Sequence, residues 1–299
     1  MIGVGVFVYY KKWTTRENAS MLAKIVVNVA VPANVLYSFL SKFNKSIISE
    51  SGLFILIAFI ALISTYYISR LLVILLKIRK ERRGLFSVMF AFSNSVFIGF
   101  PVAKALFGES AMLYAILFYL VNTIIFWTFG YIGIRGDGEE KQKIGILEIL
   151  KKLVSVPIIS VALAFILILI EVKLPTTVMS TLKYMSNMTT PLSMIFTGIV
   201  LADMGIKKLT FERDLLFVMI GRVIVTPIIM FFVTQLFGVQ DLGQHVFIMQ
   251  STLPVMLQSV ILSEYYGADV NFATKGFAWT TLFSIISIPI YMILISTFL

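Results

Sequence analysis

Residues 111–134 contain no ionised side chain, and residues 51–76 contain only Arg70. A bilayer core about 30 Å thick is crossed by about 20 apolar residues in a helix, so segments of this length and composition read as membrane spans. They are apolar all round and run past the length of a barrel strand, whose side chains would alternate in polarity, and a β-barrel is therefore discarded. With 59% hydrophobic and 13% charged residues the whole chain is too apolar for a water-soluble fold. The expected fold class is an all-α polytopic membrane protein.

The chain has no cysteine, which removes disulfides, thiolate chemistry and soft-metal sites. Its formal net charge of +10 points to loop topology rather than to nucleic acid, because Lys and Arg gather in cytoplasmic loops of membrane proteins. Residues 1–10 are apolar with their charges behind them, unlike a cleavable signal peptide, and they are short for a span. The first helix is therefore expected to be incomplete at its start.

Apolar runs between charged or turn-rich breaks give ten expected helices, at 1–10, 21–40, 52–76, 85–107, 111–134, 153–170, 177–202, 215–237, 246–266 and 272–299. The longest connection, 135–152, holds a polar GDGEEKQK stretch and divides the chain into halves of five. Basic residues concentrate after odd-numbered segments: Lys11, Lys12, Arg16, the KIRKERR run from Lys77 to Arg83, the central connection, Lys207, Lys208, Arg213 and Lys275. By the positive-inside bias those connections are cytoplasmic and both termini lie outside a cell membrane. The KIRKERR run is expected to be an ordinary anchor.

Asn28 and Pro32 stand four residues apart in the second segment, as Asn187 and Pro191 do in the seventh. From Pro32 to Pro101 is 69 residues and from Pro191 to Pro254 is 63. Matching prolines in the second and fourth helices of each half suggest duplication, and an odd number of spans per half makes the repeats inverted, 1–134 against 153–299. A proline inside a helix removes a donor and clashes one turn back, so helices four and nine are expected to break near Pro101 and Pro254 and to cross at mid-membrane.

Backbone freed at that depth must be buried in protein or line a cavity. Half-helices starting near Pro101 and Pro254 would turn N-terminal amides toward the crossing, where a carboxylate is stabilised without a buried Lys or Arg. Asn94, Ser95, Gln250, Ser251 and Thr252 would orient such an anion by hydrogen bonds. Asn28 and Asn187 either reach the same cavity or tie down the loosened backbone of their own helices. Among charges within spans, Arg70 lies near a cytoplasmic end and snorkels, whereas Arg222 stands about two turns into its span, free to pair with an anion, Glu264 or Asp203. His245 is expected in a solvated loop. One His, no Cys and no phosphate loop leave no enzyme, metal site or cofactor, so the classes remaining are a carrier or, alternatively, an anion channel or a membrane receptor.

The stretches LAKIVVNVAVPANVLYSFL, NSVFIGFPVAKALFG, TTPLSMIFTGIVLADMG and STLPVMLQSVILSEYYGAD, in this order over essentially the whole chain, resemble the auxin efflux carrier family, closest to its bacterial malate-permease-like members. The resemblance implies ten helices in inverted repeats, with broken helices four and nine crossing at Pro101 and Pro254 beside the substrate. It also implies a scaffold of helices 1, 2, 6 and 7, often dimeric, against which helices 3–5 and 8–10 move. The implied activity is secondary transport of a small carboxylate such as malate or an auxin-like acid. The long hydrophilic loop of plant exporters is absent.

Overall fold

A computed structural model describes residues 1–42, 45–138, 154–205 and 210–298. Residues 139–153, which hold most of the expected connection 135–152, and Lys207 and Lys208 lie outside the described residues. The described residues are helical throughout, with one isolated antiparallel bridge between Ser93 and Val255. Among the described residues six helices are long and apolar enough to cross a membrane: Arg16–Ser41, Ser51–Leu75, Glu109–Asp137, Thr176–Asp203, Arg213–Leu236 and Val270–Thr297. Four further apolar segments are shorter or divided: Ile2–Tyr10, Val156–Leu169, and the segments expected to break.

Prolines are accommodated by local widening of the helix. Three π-turns, Val26–Ala30, Ser95–Gly99 and Gly221–Val225, each end two residues before a proline, at Pro32, Pro101 and Pro227. Bonds closing five residues back instead of four relieve both the missing donor and the clash of the ring with the preceding turn. The carbonyl left over at Val223 by Pro227 accepts from the Tyr291 hydroxyl, and the Thr226 Oγ1 lies within hydrogen-bond distance of the Gly221 and Arg222 oxygens, at 3.1 and 2.9 Å. Pro101 therefore lies within a helix that continues through it, and the fourth segment does not break there. Its break is at Phe92, which is extended, through Asn94. In the ninth segment the break is where proline predicts it, with Pro254 between Leu242–Ser251 and Gln258–Tyr266.

The chain divides into two compact units. Unit one comprises residues 1–53, 96–116 and 154–208, and so gathers the first, second, sixth and seventh apolar segments. Its Ile2–Tyr10 helix lies against Thr189–Asp203 at a backbone-to-backbone crossing. A Cβ on Gly5 would stand 2.1 Å from the Ile195 oxygen, and one on Gly198 would stand 2.1 Å from that of Ile2, so only glycine permits this approach. At the end of the crossing Asp203 accepts from Tyr9 at 2.9 Å and pairs with Arg16 at 3.5 Å. Val31–Lys42 packs on Val156–Leu169 and Thr176–Asn187, closing a core that includes Val31, Val35, Phe39 and Ala164.

Unit two comprises residues 54–95, 117–153 and 209–299. At its centre is the short Arg83–Ala91 helix, buried along all residues after Arg83. It packs against Tyr131–Asp137 where Gly84 and Gly133 meet, a Cβ on Gly84 falling 2.0 Å from the Gly133 oxygen. Asp137 accepts from the backbone amides of Gly84 and Leu85 at 2.9 and 2.7 Å, satisfying donors that the first turn of a helix leaves open. At the start of Leu242–Ser251, Asp241 likewise accepts from Gly243 at 2.8 Å.

Candidate functional site

Two short helices of unit two, Arg83–Ala91 and Leu242–Ser251, end at the same guanidinium. Arg222 is 1% exposed and sits in the π-turn that precedes Pro227. Its Nη1 donates to the oxygens of Phe90 and Ala91 at 3.3 and 2.9 Å. Its Nε and Nη2 donate to the Leu253 oxygen at 2.9 and 2.7 Å, and Nη2 also to the Ser251 oxygen at 2.8 Å and Ser93 Oγ at 2.5 Å. The last carbonyls of a helix have no partner within it and carry its negative dipole end, so a fork of fixed donors at two such ends satisfies both. Among the described residues no carboxylate pairs with Arg222. The expected pairing with Glu264 or Asp203 does not form: Glu264 is exposed at the far end of Gln258–Tyr266, and Asp203 is engaged by Tyr9 and Arg16 within unit one.

The strand-like residues after each helix are held to one another. Ser93 bridges Val255, and the Asn94 amide donates to the Pro254 oxygen at 3.0 Å. Asn122 clamps Ser93 from both sides, accepting from its amide at 3.2 Å and donating to its oxygen at 3.1 Å. Thr280 Oγ1 accepts from the Val255 amide at 3.1 Å, and Thr226 Oγ1 donates to the Ser251 oxygen at 2.9 Å. Much of the backbone polarity exposed by the two interruptions is therefore met by protein, as burial at bilayer depth requires.

Beside the two interruptions, two buried side chains keep unsatisfied polar atoms. Gln250 is 0% exposed with neither amide atom hydrogen-bonded, and Asn94 is 1% exposed with Nδ2 unbonded. A buried polar group left so costs about 1–3 kcal/mol, a strong bias toward an external partner. Asn94 adjoins Ser93 and Gln250 adjoins Ser251, the residues gripped by Arg222 Nη2. The hydroxyls of Ser251 and Thr252 donate to their own helix, to Ile248 and Met249 oxygens at 2.6 and 2.8 Å, and Ser95 leans back on Ser93. Each of those oxygens keeps capacity to accept.

Of the residues singled out in the sequence, Asn94, Ser95, Gln250, Ser251, Thr252, Pro254, Arg222 and Glu264 belong to unit two, while Asn28, Pro101 and Asn187 belong to unit one. Asn28 is exposed and donates to the Lys24 oxygen at 2.9 Å, so it ties down its own widened helix. Asn187 accepts from Lys104 at 3.2 Å, and Lys104 also pairs with Glu109 at 2.5 Å. Asn122, Thr226 and Thr280 were not foreseen. A lone Asn within an apolar span was the available signal for the first, and a Thr beside a mid-span proline for the second.

A helical membrane protein whose two interrupted helices are bound back to back around a buried charge belongs by class with transport proteins. The chain is a member of the membrane transport protein family, whose profile matches residues 1–292, and this is the auxin efflux carrier group that its motifs resemble. It is 27% identical to an uncharacterized transporter of Methanocaldococcus jannaschii over 92% of this chain and 89% of that one. It is 25% identical to an uncharacterized transporter of Methanothermobacter thermautotrophicus, over 93% and 90%. To the uncharacterized transporter YfdV of Escherichia coli the identity is 20%, over 97% and 92%. The protein is thus a multi-pass membrane transporter.

Proposed function

We propose that the protein is a secondary carrier of a small organic anion, a carboxylate such as malate or an auxin-like acid, working by alternating access across the cell membrane. The observation that carries this reading is the pair of buried, unsatisfied amides of Asn94 and Gln250, next to the residues that hold the guanidinium. An anion would accept from both amide NH2 groups while Ser95, Ser251, Thr252 and the backbone around Pro254 shape its surroundings.

The remaining architecture is read in the same terms: ten spans in two inverted halves, 1–134 and 153–299, both termini outside. Segments 1, 2, 6 and 7 would be the scaffold, pairing with a second copy as a homodimer, and segments 3–5 and 8–10 the body that carries substrate. Support comes from the composition of the units, since the first, second, sixth and seventh segments fall together in unit one. The glycine-to-glycine crossing at Gly5 and Gly198 suits a scaffold that stays rigid. Cysteine labelling in this cysteine-free chain is expected to find Lys80 on the cytoplasmic side.

The test is uptake of labelled dicarboxylates and aromatic carboxylates into proteoliposomes. Saturable flux, accelerated by unlabelled substrate on the far side, is expected. Asn94→Ala and Gln250→Ala should each raise KM about tenfold, the equivalent of one lost hydrogen bond to a charged group, with membrane expression intact. Linear flux with single-channel currents would make the protein a channel, and unchanged kinetics in both variants would move the site elsewhere.

A further inference from the structure

Unwound carbonyls and the C-terminal ends of half-helices are the groups that bind sodium ions in ion-coupled carriers built from broken helices. Unit two contains such a set: the oxygens of Phe90 and Ala91 at the end of one short helix, and those of Ser251 and Leu253 at the end of the other. All four accept from Arg222, joined by Ser93 Oγ. We propose that Arg222 is a tethered cation in the place where this carrier class takes a monovalent metal ion, so that the crossing carries its positive charge permanently and binds no sodium there.

Three observations support this assignment. The guanidinium touches only dipoles, so it lacks the ion pair that accompanies most buried charges, and carbonyl dipoles are what a desolvated cation needs in place of water. Its acceptors come from both interrupted helices, as those of a metal ion bridging two half-helices would. It is also anchored by position: the π-turn projects it inward, and Thr226 one turn on donates to the same Ser251 oxygen, fixing the ring of acceptors around it. Unlike sodium, the side chain is covalently tethered and cannot dissociate. The assignment rests on the family's transport function but not on the identity of the anion.

The test needs no substrate. Thermal unfolding of wild-type protein and Arg222→Ala is compared in detergent at constant ionic strength, with choline replaced by sodium or by millimolar guanidinium. Arg222→Ala is expected to melt lower and to recover about 5–10 °C with guanidinium or sodium, the size of shift that a ligand well above its Kd gives, while wild type shows no such shift. Arg222→Gln, which keeps most of the volume without the charge, should acquire the same cation sensitivity and serves if the alanine variant does not fold. Hydrogen exchange at residues 90–94 and 251–255 of wild type should be the same in sodium and choline. Sodium protection of those amides in wild type, or the absence of any cation-specific stabilisation in both variants, would overturn the proposal. Loss of organic-anion uptake alone bears on the proposed substrate and leaves these readouts unchanged.

Discussion

Arg82 and Arg222, two of the buried arginines of unit two, are held by opposite means. Arg82, at the start of the Arg83–Ala91 helix, pairs with Glu212 at 2.9 Å, Asp269 at 2.8 Å and Asp214 at 3.5 Å, and lies over the Phe272 ring at 4.6 Å. Lys275 meets the other oxygen of Glu212 at 2.5 Å. Arg222, near the other end of that helix, has no acid partner among the described residues and is held by carbonyls and the Ser93 hydroxyl. Around Arg82, where Glu212 and Asp269 remain a third to a quarter exposed, carboxylates can serve as partners because water shares in solvating them. At the crossing each added carboxylate would itself need desolvation, and helix ends supply negative charge already in place.

That contrast can be broken from either side. The largest effect is expected for Arg222→Leu, which strips donors from four buried carbonyls at once: a loss of about 3–5 kcal/mol, measured by thermal unfolding in detergent, with unit-two amides at 90–94 exchanging first. Arg82→Ala should cost less, about 1–3 kcal/mol, because its three partners are partly hydrated and relax into water. A smaller effect separates the two by pH. The hydrogen bond from Lys275, and then that from Arg82, hold the Glu212 carboxyl below its ordinary value of 4.5, with partial burial opposing them. A carboxyl depressed in the folded state stabilises the fold above its unfolded pKa, and that contribution fades as pH falls from about 4.5 through the folded value. Glu212→Gln should flatten this acid limb of a melting-temperature profile. Arg222→Lys should lower the profile while leaving its acid limb in place, since no acid titrates beside it. The smallest expected effect is salt: molar chloride should weaken the Arg82 cluster slightly and the crossing not measurably.

How much of this could be seen in the sequence depends on which partner is a side chain. The all-helical fold and the long spans follow from apolar length, and a break at Pro254 follows from its missing donor. Pro101 misled because a π-turn, a backbone adjustment without a sequence signature, absorbs the proline and leaves the rupture at residues 92–94. Asn94 and Gln250 were legible as polar residues beside breaks; that both remain unsatisfied is visible only in three dimensions. For Arg222 the sequence offered acids as partners, since acids are letters and carbonyls are not. The same holds for Asp137, whose capping of a helix some 50 positions earlier in the chain has no local mark.

The partners of Arg222 also bear on how this protein can change. Phe90, Ala91, Ser251 and Leu253 each offer the guanidinium a main-chain oxygen, which every amino acid possesses. Substitutions at those four positions alter packing but delete no acceptor, and only Ser93 contributes through its side chain. The neighbourhood of the crossing is therefore open to sequence drift in a way that a lattice of ion pairs is not, where losing either member strands the other. Side chains around the two interruptions can be exchanged while the grip on the two helix ends persists, so one fixed residue holds the frame as its surroundings vary.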